Sequence, residues 1–285
     1  MTNKFILTLS SPDQSGLSMK VMQFVFSMGG NVIETQQFNA DDTKTFFMRV
    51  IFDVSGSSVG ERKLRESFSV IADELNMDFN IRAASKAKRV LLCVSKFDHC
   101  LGDLLYRHRI GELNMEIVGI VSNHPQSVLN IDVPEDVTFH HFPITKKTKS
   151  EQEAKIRAVI DETGAELVVL ARYMQILSND FCEFLKGRCI NIHHSFLPGF
   201  KGARPYHQAY NRGVKMIGAT AHFVTSDLDE GPIINQDVEL ITHADLPEDL
   251  IRKGRDVERR VLAQAVTLFL EDRLFLNGSK TIVLG

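Results

Sequence analysis

An asparagine and a histidine stand two residues apart at the end of an apolar, strand-like run, CINIH at 189–193. Residues i and i+2 of a strand project to the same side, so Asn191 and His193 share a face. Further along, HFVTSDLDEGP carries His222, Asp227 and Asp229 through an acidic turn into the next apolar run. An aspartate beside an imidazole fixes its tautomer and favours its charged form. An amide N–H beside both donates to a developing oxyanion. Together these groups suit attack on a carbonyl carbon. Taken alone, an Asn and a His at a strand end also serve as turn and capping residues, so both readings stand on the residues themselves. Adjacent His193 and His194 diverge, and no HxxxH or His-plus-carboxylate spacing accompanies them, which argues against a metal site. Ser195, Cys182 and Cys189 show no strand–turn–helix elbow of a covalent nucleophile.

The stretches that must position this pair read as an α/β protein in two parts. From 85 to 285, RVLLCV, MEIVGIV, VTFHHF, ELVVLA and RCINI are apolar runs separated by helical segments. Near-continuous apolar strands of this kind suit a mostly parallel, Rossmann-like sheet covered on both faces. IGATAHFV and IINQDVEL, with no helix between them, close it as an antiparallel pair, and 247–271 is a terminal helix with Pro247 in its first turn. Such sheets bind ligands beyond the carboxyl ends of their strands. From 1 to 84 the order is different. KFILTLS is a strand, and Leu17, Val21, Phe24, Val25 and Met28 follow at helical spacing until GGN stops the helix. NVIETQQF and TFFMRVIFD form a hairpin around NADDTK, then come the helix ERKLRESFSVIADEL and the strand NMDFNIRA. This βαββαβ order is ferredoxin-like. The polar stretch ASKAKR (84–89) marks the boundary.

Composition narrows the function classes. The 285 residues carry 33 basic against 36 acidic side chains, without the basic stripe that nucleic acid requires. KKTK (146–149) reads as a solvated loop. No run approaches the ~18 apolar residues of a membrane helix, and the N-terminal apolar run is too short for a signal peptide. The four cysteines have no CxxC spacing, which suits reduced thiols in a cytoplasmic protein; Cys93 and Cys189 fall inside apolar runs as small core residues.

NIHHSFLP (191–198), followed in order by HFVTSDLDEGP (222–232), resembles the signature of the folate-dependent formyltransferase family. That family includes glycinamide ribonucleotide and methionyl-tRNA formyltransferases. The resemblance places its catalytic asparagine, histidine and aspartate at Asn191, His193 and Asp229. LARYMQILS (170–178) is similar to the loop that holds the pterin ring through backbone groups. Carried over, Gln175 and Leu177 make those contacts, while Met174 and Val224 line the apolar wall; without the resemblance, all four read as packing at a strand end. HHSFLPGFKGARPYHQAY most resembles the deformylating branch of the family, and the likeness runs from residue 1 through FLNGSKTIVL. It implies 10-formyltetrahydrofolate as substrate, with no metal or organic cofactor. The formyl carbonyl would lie between Asn191 and His193, with Asp229 orienting the imidazole and positioning water.

Ribonucleotide-using members carry a Gly-rich phosphate loop after their first strand. CVSKFDHCLGDLLYR (93–107) instead has no glycine before Gly102, a bulky Phe97, and an Asp98 of the wrong sign. Nor is a large basic C-terminal domain for tRNA evident. Water is then the expected acceptor. The products are tetrahydrofolate and formate, feeding one-carbon pools and purine biosynthesis. The alternative is transfer to an unidentified amine, with Phe97, Asp98 and His99 lining its site.

The βαββαβ unit, with DQSGL (13–17) and GGN (29–31), resembles an ACT domain. That likeness implies a regulatory unit over 1–84 and a homo-oligomer. Glycine or methionine would bind between paired copies through Asp13, Gly16, Leu17 and Asn31, although Gly16 alone reads as a tight turn. His222 and Asp227 stay open between site and turn roles, and Arg204 and His207 between the folate tail and a helix cap.

Overall fold

The computed structural model describes residues 3–57, 59–197 and 205–285. The first part runs β1 (Lys4–Pro12), α1 (Leu17–Ser27), β2 (Asn31–Ala40), β3 (Thr45–Asp53), α2 (Glu61–Leu75) and β4 (Asp78–Ala83). Its four strands lie in the order β2-β3-β1-β4, all antiparallel. Side chains alternate across this sheet: Phe5, Leu7 and Leu9 of β1 and Phe46, Met48, Val50 and Phe52 of β3 share one buried side. Both helices close over it. Val21, Phe24 and Val25 of α1 and Leu64, Phe68 and Ala72 of α2 are buried at helical spacing. Phe24 and Phe68 meet edge-on, 4.9 Å between centroids. Gly29, at φ 71°, ends α1 in the left-handed conformation that a Cβ disfavours.

The second part runs β5 (Lys88–Val94), α3 (His99–Arg109), β6 (Met115–Ser122), β7 (Phe139–His141), α4 (Lys149–Thr163), β8 (Leu167–Leu170), α5 (Asn179–Phe184), β9 (Cys189–His193), α6 (Pro205–Arg212), β10 (Met216–Phe223), β11 (Ile233–Leu240) and α7 (Pro247–Leu270). Seven strands form one sheet in the order β11-β10-β9-β8-β5-β6-β7. The five from β9 to β7 in that order are parallel; β10 and β11 are antiparallel to their neighbours. Residues 90–94 of β5 and all of β8 are buried, as strands covered on both faces must be. From β5 the chain first fills one side of the sheet with β6 and β7, then returns to fill the other with β8 and β9. The carboxyl ends of β5 and β8 therefore flank the switch point, where open α/β sheets leave a crevice.

The long helix α7 buries Leu250, Gly254, Val257, Glu258, Val261 and Leu262 along one stripe. Gly254 has a packing reason. A Cβ there would lie 2.2 Å from the ring of Tyr206 on α6. Glycine inside a helix ordinarily costs up to about 1 kcal/mol, and here it makes room for an aromatic ring.

After α7 come β12 (Leu274–Asn277) and β13 (Lys280–Val283), a hairpin that pattern reading did not resolve into strands. Compactness divides the chain after Ala87, and returns residues 271–278 and 282–285 to the first unit. A boundary near residue 84 with everything beyond it in one domain does not describe this. The reason is polar. Arg49 and Arg82 are buried on the sheet face turned away from the helices, and buried guanidinium groups need acceptors. Arg49 Nε donates to the Glu271 carbonyl at 2.9 Å, and Arg82 Nε to the Asp272 carboxylate at 2.5 Å. Phe275 adds a ring contact to Phe47, 5.5 Å between centroids. Among the described residues no helix is long and apolar enough to cross a membrane.

Gly254→Ala should destabilise the protein by about 1–3 kcal/mol through overpacking, although alanine is the better helix former. Denaturant unfolding measures it, and in a Tyr206→Ala background the same change should become neutral or stabilising.

Candidate active site

Asn191 and His193 do share a side of β9, and the neighbouring strand β10 sets what they meet. The antiparallel register places His222 opposite Asn191 and Thr220 opposite His193. His222 Nδ1 lies 2.9 Å from the Phe223 carbonyl. A carbonyl only accepts, so Nδ1 carries the proton and a neutral ring leaves Nε2 bare. Burial holds this imidazole below its ordinary range, which keeps it neutral. The bare Nε2 accepts from the Asn191 amide nitrogen at 3.2 Å. That bond fixes which way the Asn191 amide points.

His193 is held from two sides. Its Nδ1 stands 3.2 Å from Asp229 Oδ1, and its Nε2 2.9 Å from the Ser195 hydroxyl. Because β10 runs antiparallel to β9, the loop after Phe223 starts beside Cys189 and has to double back to bring Asp229 to His193. Two features bend it. Gly231 passes so close to the Phe223 carbonyl that a Cβ would lie 1.8 Å from its oxygen. Asp229 itself sits at φ 58°, a conformation non-glycine residues seldom adopt. The hydrogen bond from His193 holds the Asp229 carboxyl below the usual carboxylate range, outweighing burial. Asp229 Oδ1 also lies 3.8 Å from His222 Nε2. His222 thus belongs to the site, whereas the Asp227 backbone carbonyl accepts from Thr225 Oγ1 and Glu230 N and shapes the turn.

These side chains border a cavity of about 250 Å³, whose wall continues through Met174, Gln175, Leu177 and Val224. The loop after β8 is pinned at both ends. Met174 N donates to Ser95 Oγ at 2.9 Å, and Ser178 donates to Glu153 through its backbone N–H at 2.8 Å and its hydroxyl at 2.5 Å. Between these anchors, among the described residues, no hydrogen bond reaches the backbone of Gln175, Ile176 or Leu177.

Pattern reading missed a buried polar cluster beside His194. Glu258 of α7 accepts from the Tyr206 hydroxyl at 2.6 Å and His99 Nε2 at 2.8 Å, with Arg172 Nε 3.3 Å away. Burial alone would raise its carboxyl, but the His99 hydrogen bond and the Arg172 charge hold it below the ordinary range. The signal was present as a carboxylate within the apolar stripe of a helix, in step with Gly254 and Leu262. His99, Cys100 and Glu258 also lie close enough to share a metal ion. Both Glu258 oxygens already accept hydrogen bonds, and the Arg172 cation beside them opposes a second positive charge. Burial first, then Arg172, pushes the His194 imidazole down to about 4.

The remaining candidates fall elsewhere. The Asp98 carboxylate accepts from Asn130 N at 2.5 Å at the start of α3, setting an anion where a phosphate-binding helix would receive one. His207 lies exposed on α6, and Arg204 lies outside the described residues. Asp13, Gly16, Leu17 and Asn31 do not gather within one copy. Gly16 sits at φ 89° before α1 and Leu17 is buried in the core, whereas Asn31 pairs with Asp53 at the opposite end of the sheet from Asp13.

Compared with known families, residues 88–266 match the one described as formyl transferase. The chain belongs to that family. A formyltetrahydrofolate deformylase of Corynebacterium sp. (strain P-1) is 46% identical over 283 residues, covering 99% of this chain and 98% of its own length. The crystal structure of a formyltetrahydrofolate deformylase from Burkholderia mallei ATCC 23344 matches at TM-score 0.94 and 49% identity, covering 99% of this chain and 100% of that one. Glycinamide ribonucleotide transformylase 1 from Symbiobacterium toebii matches at TM-score 0.63 and 28% identity, over 70% of this chain and 95% of its own. Within the formyl transferase family, then, the transformylase leaves unmatched a part of this chain that the deformylase structure covers.

His194 gives a stability prediction with a definite sign. Its ring ionises near 6.5 when unfolded and only near 4 when folded, so between those values the unfolded chain binds the extra proton. Stability should fall as pH drops from 6.5 towards 4, by no more than about 1.4 kcal/mol per pH unit from this group. Unfolding curves of His194→Gln across that window should show a shallower pH slope.

Proposed function

We propose that the chain hydrolyses 10-formyltetrahydrofolate to tetrahydrofolate and formate. The observation that carries this is one cavity bordered by Asn191, His193 and Asp229 on one side and by a loop with open backbone groups on the other. The pterin edge pairs with the backbone of Gln175 and Leu177, and its faces lie against Met174 and Val224. The formyl oxygen is received by the free N–H of Asn191 and by His193. Water attacks the formyl carbon, its oxygen forming the new bond, while Asp229 takes one of its protons. The negative charge on the formyl oxygen is stabilised by the Asn191 amide, already oriented by His222, and by the His193 ring, whose Nε2 leaves the Ser195 hydroxyl to face it. As the tetrahedral centre collapses, the C–N10 bond breaks, the proton passes from Asp229 to N10, and the product acid gives water's second proton to solvent and leaves as formate. The folate is the substrate, so this chemistry needs neither a metal nor an organic cofactor.

The surroundings support water over an amine acceptor. Asp98 places a negative charge at the start of α3, and Phe97 and His99 are engaged with Arg172 and Glu258. The full-length relatives carry the name of the hydrolytic enzyme. The four cysteines are free and buried, in keeping with a cytoplasmic enzyme.

The first unit acts as an ACT-type regulatory domain in a homo-oligomer. The separation of Asn31 from Asp13, Gly16 and Leu17 supports a site completed by a second copy. In that arrangement, glycine or methionine contacts Asn31 of one copy and the Gly16 turn of another.

Incubated with 10-formyltetrahydrofolate and no amine, the protein should release formate and tetrahydrofolate in equal amounts. Release that requires an added amine would replace hydrolysis by transfer. Asn191→Ala and His193→Ala should each lower turnover by about 10²–10³ or more while unfolding transitions stay near wild type. Near-normal turnover in either would remove the assignment. Regulation is tested on the full chain. Glycine or methionine should shift the rate, Asn31→Ala should abolish that shift, and a monomeric, unresponsive protein would end the regulatory reading.

A further inference from the structure

The cavity wall holds a cation that the proposed reaction has not used. Arg172 borders the same cavity as Asn191 and His193, and is only 8% exposed. Its Nε is buried without a hydrogen-bond partner, and Glu258 is its ion-pair partner at 3.3 Å. Among the described residues no hydrogen bond is made by its two Nη groups either. A guanidinium offers five N–H donors in a planar fork, and a buried donor left unpaired, as Nε is here, is costly.

Several features keep this arginine in place. Its backbone is at φ 64°, a conformation that the surrounding contacts must enforce. Ser95 N donates to its carbonyl at 3.2 Å, and the Phe97 ring lies 5.6 Å from its guanidinium carbon. Glu258 is in turn fixed by Tyr206 and His99. Those two hydrogen bonds occupy both carboxylate oxygens, so Glu258 balances the Arg172 charge without using up its donor fork. His194 borders the same cavity as the arginine, its ring 5.2 Å from that of His193, and its imidazole is depressed by burial first and then by the Arg172 charge.

We infer that Arg172 is the receptor for the carboxylate product, formate, next to the site where it forms. The inference rests on the hydrolytic reading. In hydrolysis the water oxygen bonds to the formyl carbon, the C–N10 bond breaks, N10 takes one proton of the water, solvent takes the other, and formate departs as an anion. That anion is created beside His193, next to the Asp229 carboxylate, which repels it. On the wall of the same cavity, Arg172 offers two parallel Nη donors at the spacing of two carboxylate oxygens. His194, which burial keeps neutral, adds no competing charge to that wall. Product therefore moves from the reaction centre to the arginine, which draws it off the face where the next folate binds. The same position suits no phosphate dianion, because Glu258 already balances the single Arg172 charge.

Formate binding is measured directly with ¹³C-formate, by line broadening in the presence of the protein, and kinetically as inhibition of hydrolysis by added sodium formate against a chloride control. Wild type should broaden the formate signal and be inhibited by formate. Arg172→Lys keeps the charge but gives up the two-pronged geometry, and should weaken formate several-fold. The charge-neutral double variant Arg172→Met/Glu258→Gln leaves no buried ion unpaired, and should weaken formate by about 10- to 100-fold in both measurements. Where the double variant does not fold, Arg172→Lys decides. Formate affinity unchanged in a folded variant overturns the inference, as does a wild type that neither broadens the signal nor is inhibited. The hydrolytic reading fails by a different result, the absence of formate release from 10-formyltetrahydrofolate, and the ¹³C-formate measurement reads the arginine independently of turnover.

Discussion

The antiparallel register between β9 and β10 is the constraint on which the rest of the site depends. It sets His222 opposite Asn191 and Thr220 opposite His193. A shift by one residue would turn His222 to the other face of the sheet, and the Asn191 amide would lose the acceptor that orients it. The same register starts the following loop at the amino end of β9, so Asp229 reaches His193 only because that loop folds back. Gly231 permits the fold by passing where a side chain could not. Strand pairing, loop path and imidazole orientation are thus consequences of one hydrogen-bond ladder.

Strain and buried charge sit where that ladder meets the cavity. Among the described residues five that are not glycine have positive φ, and two of them, Arg172 and Asp229, carry charged side chains on the cavity wall. Each such residue costs on the order of 1–3 kcal/mol and persists only where its surroundings over-determine it. Around Asp229 the restraint comes from His193 and the Gly231 bend. Around Arg172 it comes from Ser95, Phe97 and the Glu258 cluster, which also ties α3, α6 and α7 together. Removing one member of such a cluster leaves a buried charge uncompensated, so its members hold one another in place.

The first unit shows the same logic on a sheet. Its helices cover one face with an apolar core. The other face contains Arg49 and Arg82, whose acceptors lie at Glu34, Glu271 and Asp272. The C-terminal residues are thereby part of the first unit's structure, although they follow the last helix of the second.

Wherever local periodicity decides the matter, the chain's architecture was legible in the sequence. The apolar runs of β5, β6, β8 and β9, the antiparallel closing pair and the helix from Pro247 follow from hydrophobic pattern and breakers alone. So did the shared face of Asn191 and His193, because a strand alternates with period two. Resemblance, rather than spacing, singled out Asp229 from Asp227, and the structure sets Asp229 against the imidazole while Asp227 shapes the turn. What the sequence could not contain is any relation between residues whose proximity depends on how elements pack. Arg172, His99, Tyr206 and Glu258 are distant in the chain and meet only because α3, α6 and α7 converge around the end of β8. The same holds for Arg82 and Asp272, and for the separation of Asn31 from Gly16. Periodicity specifies which side of an element faces inward, whereas strand order, register and helix packing decide what waits there.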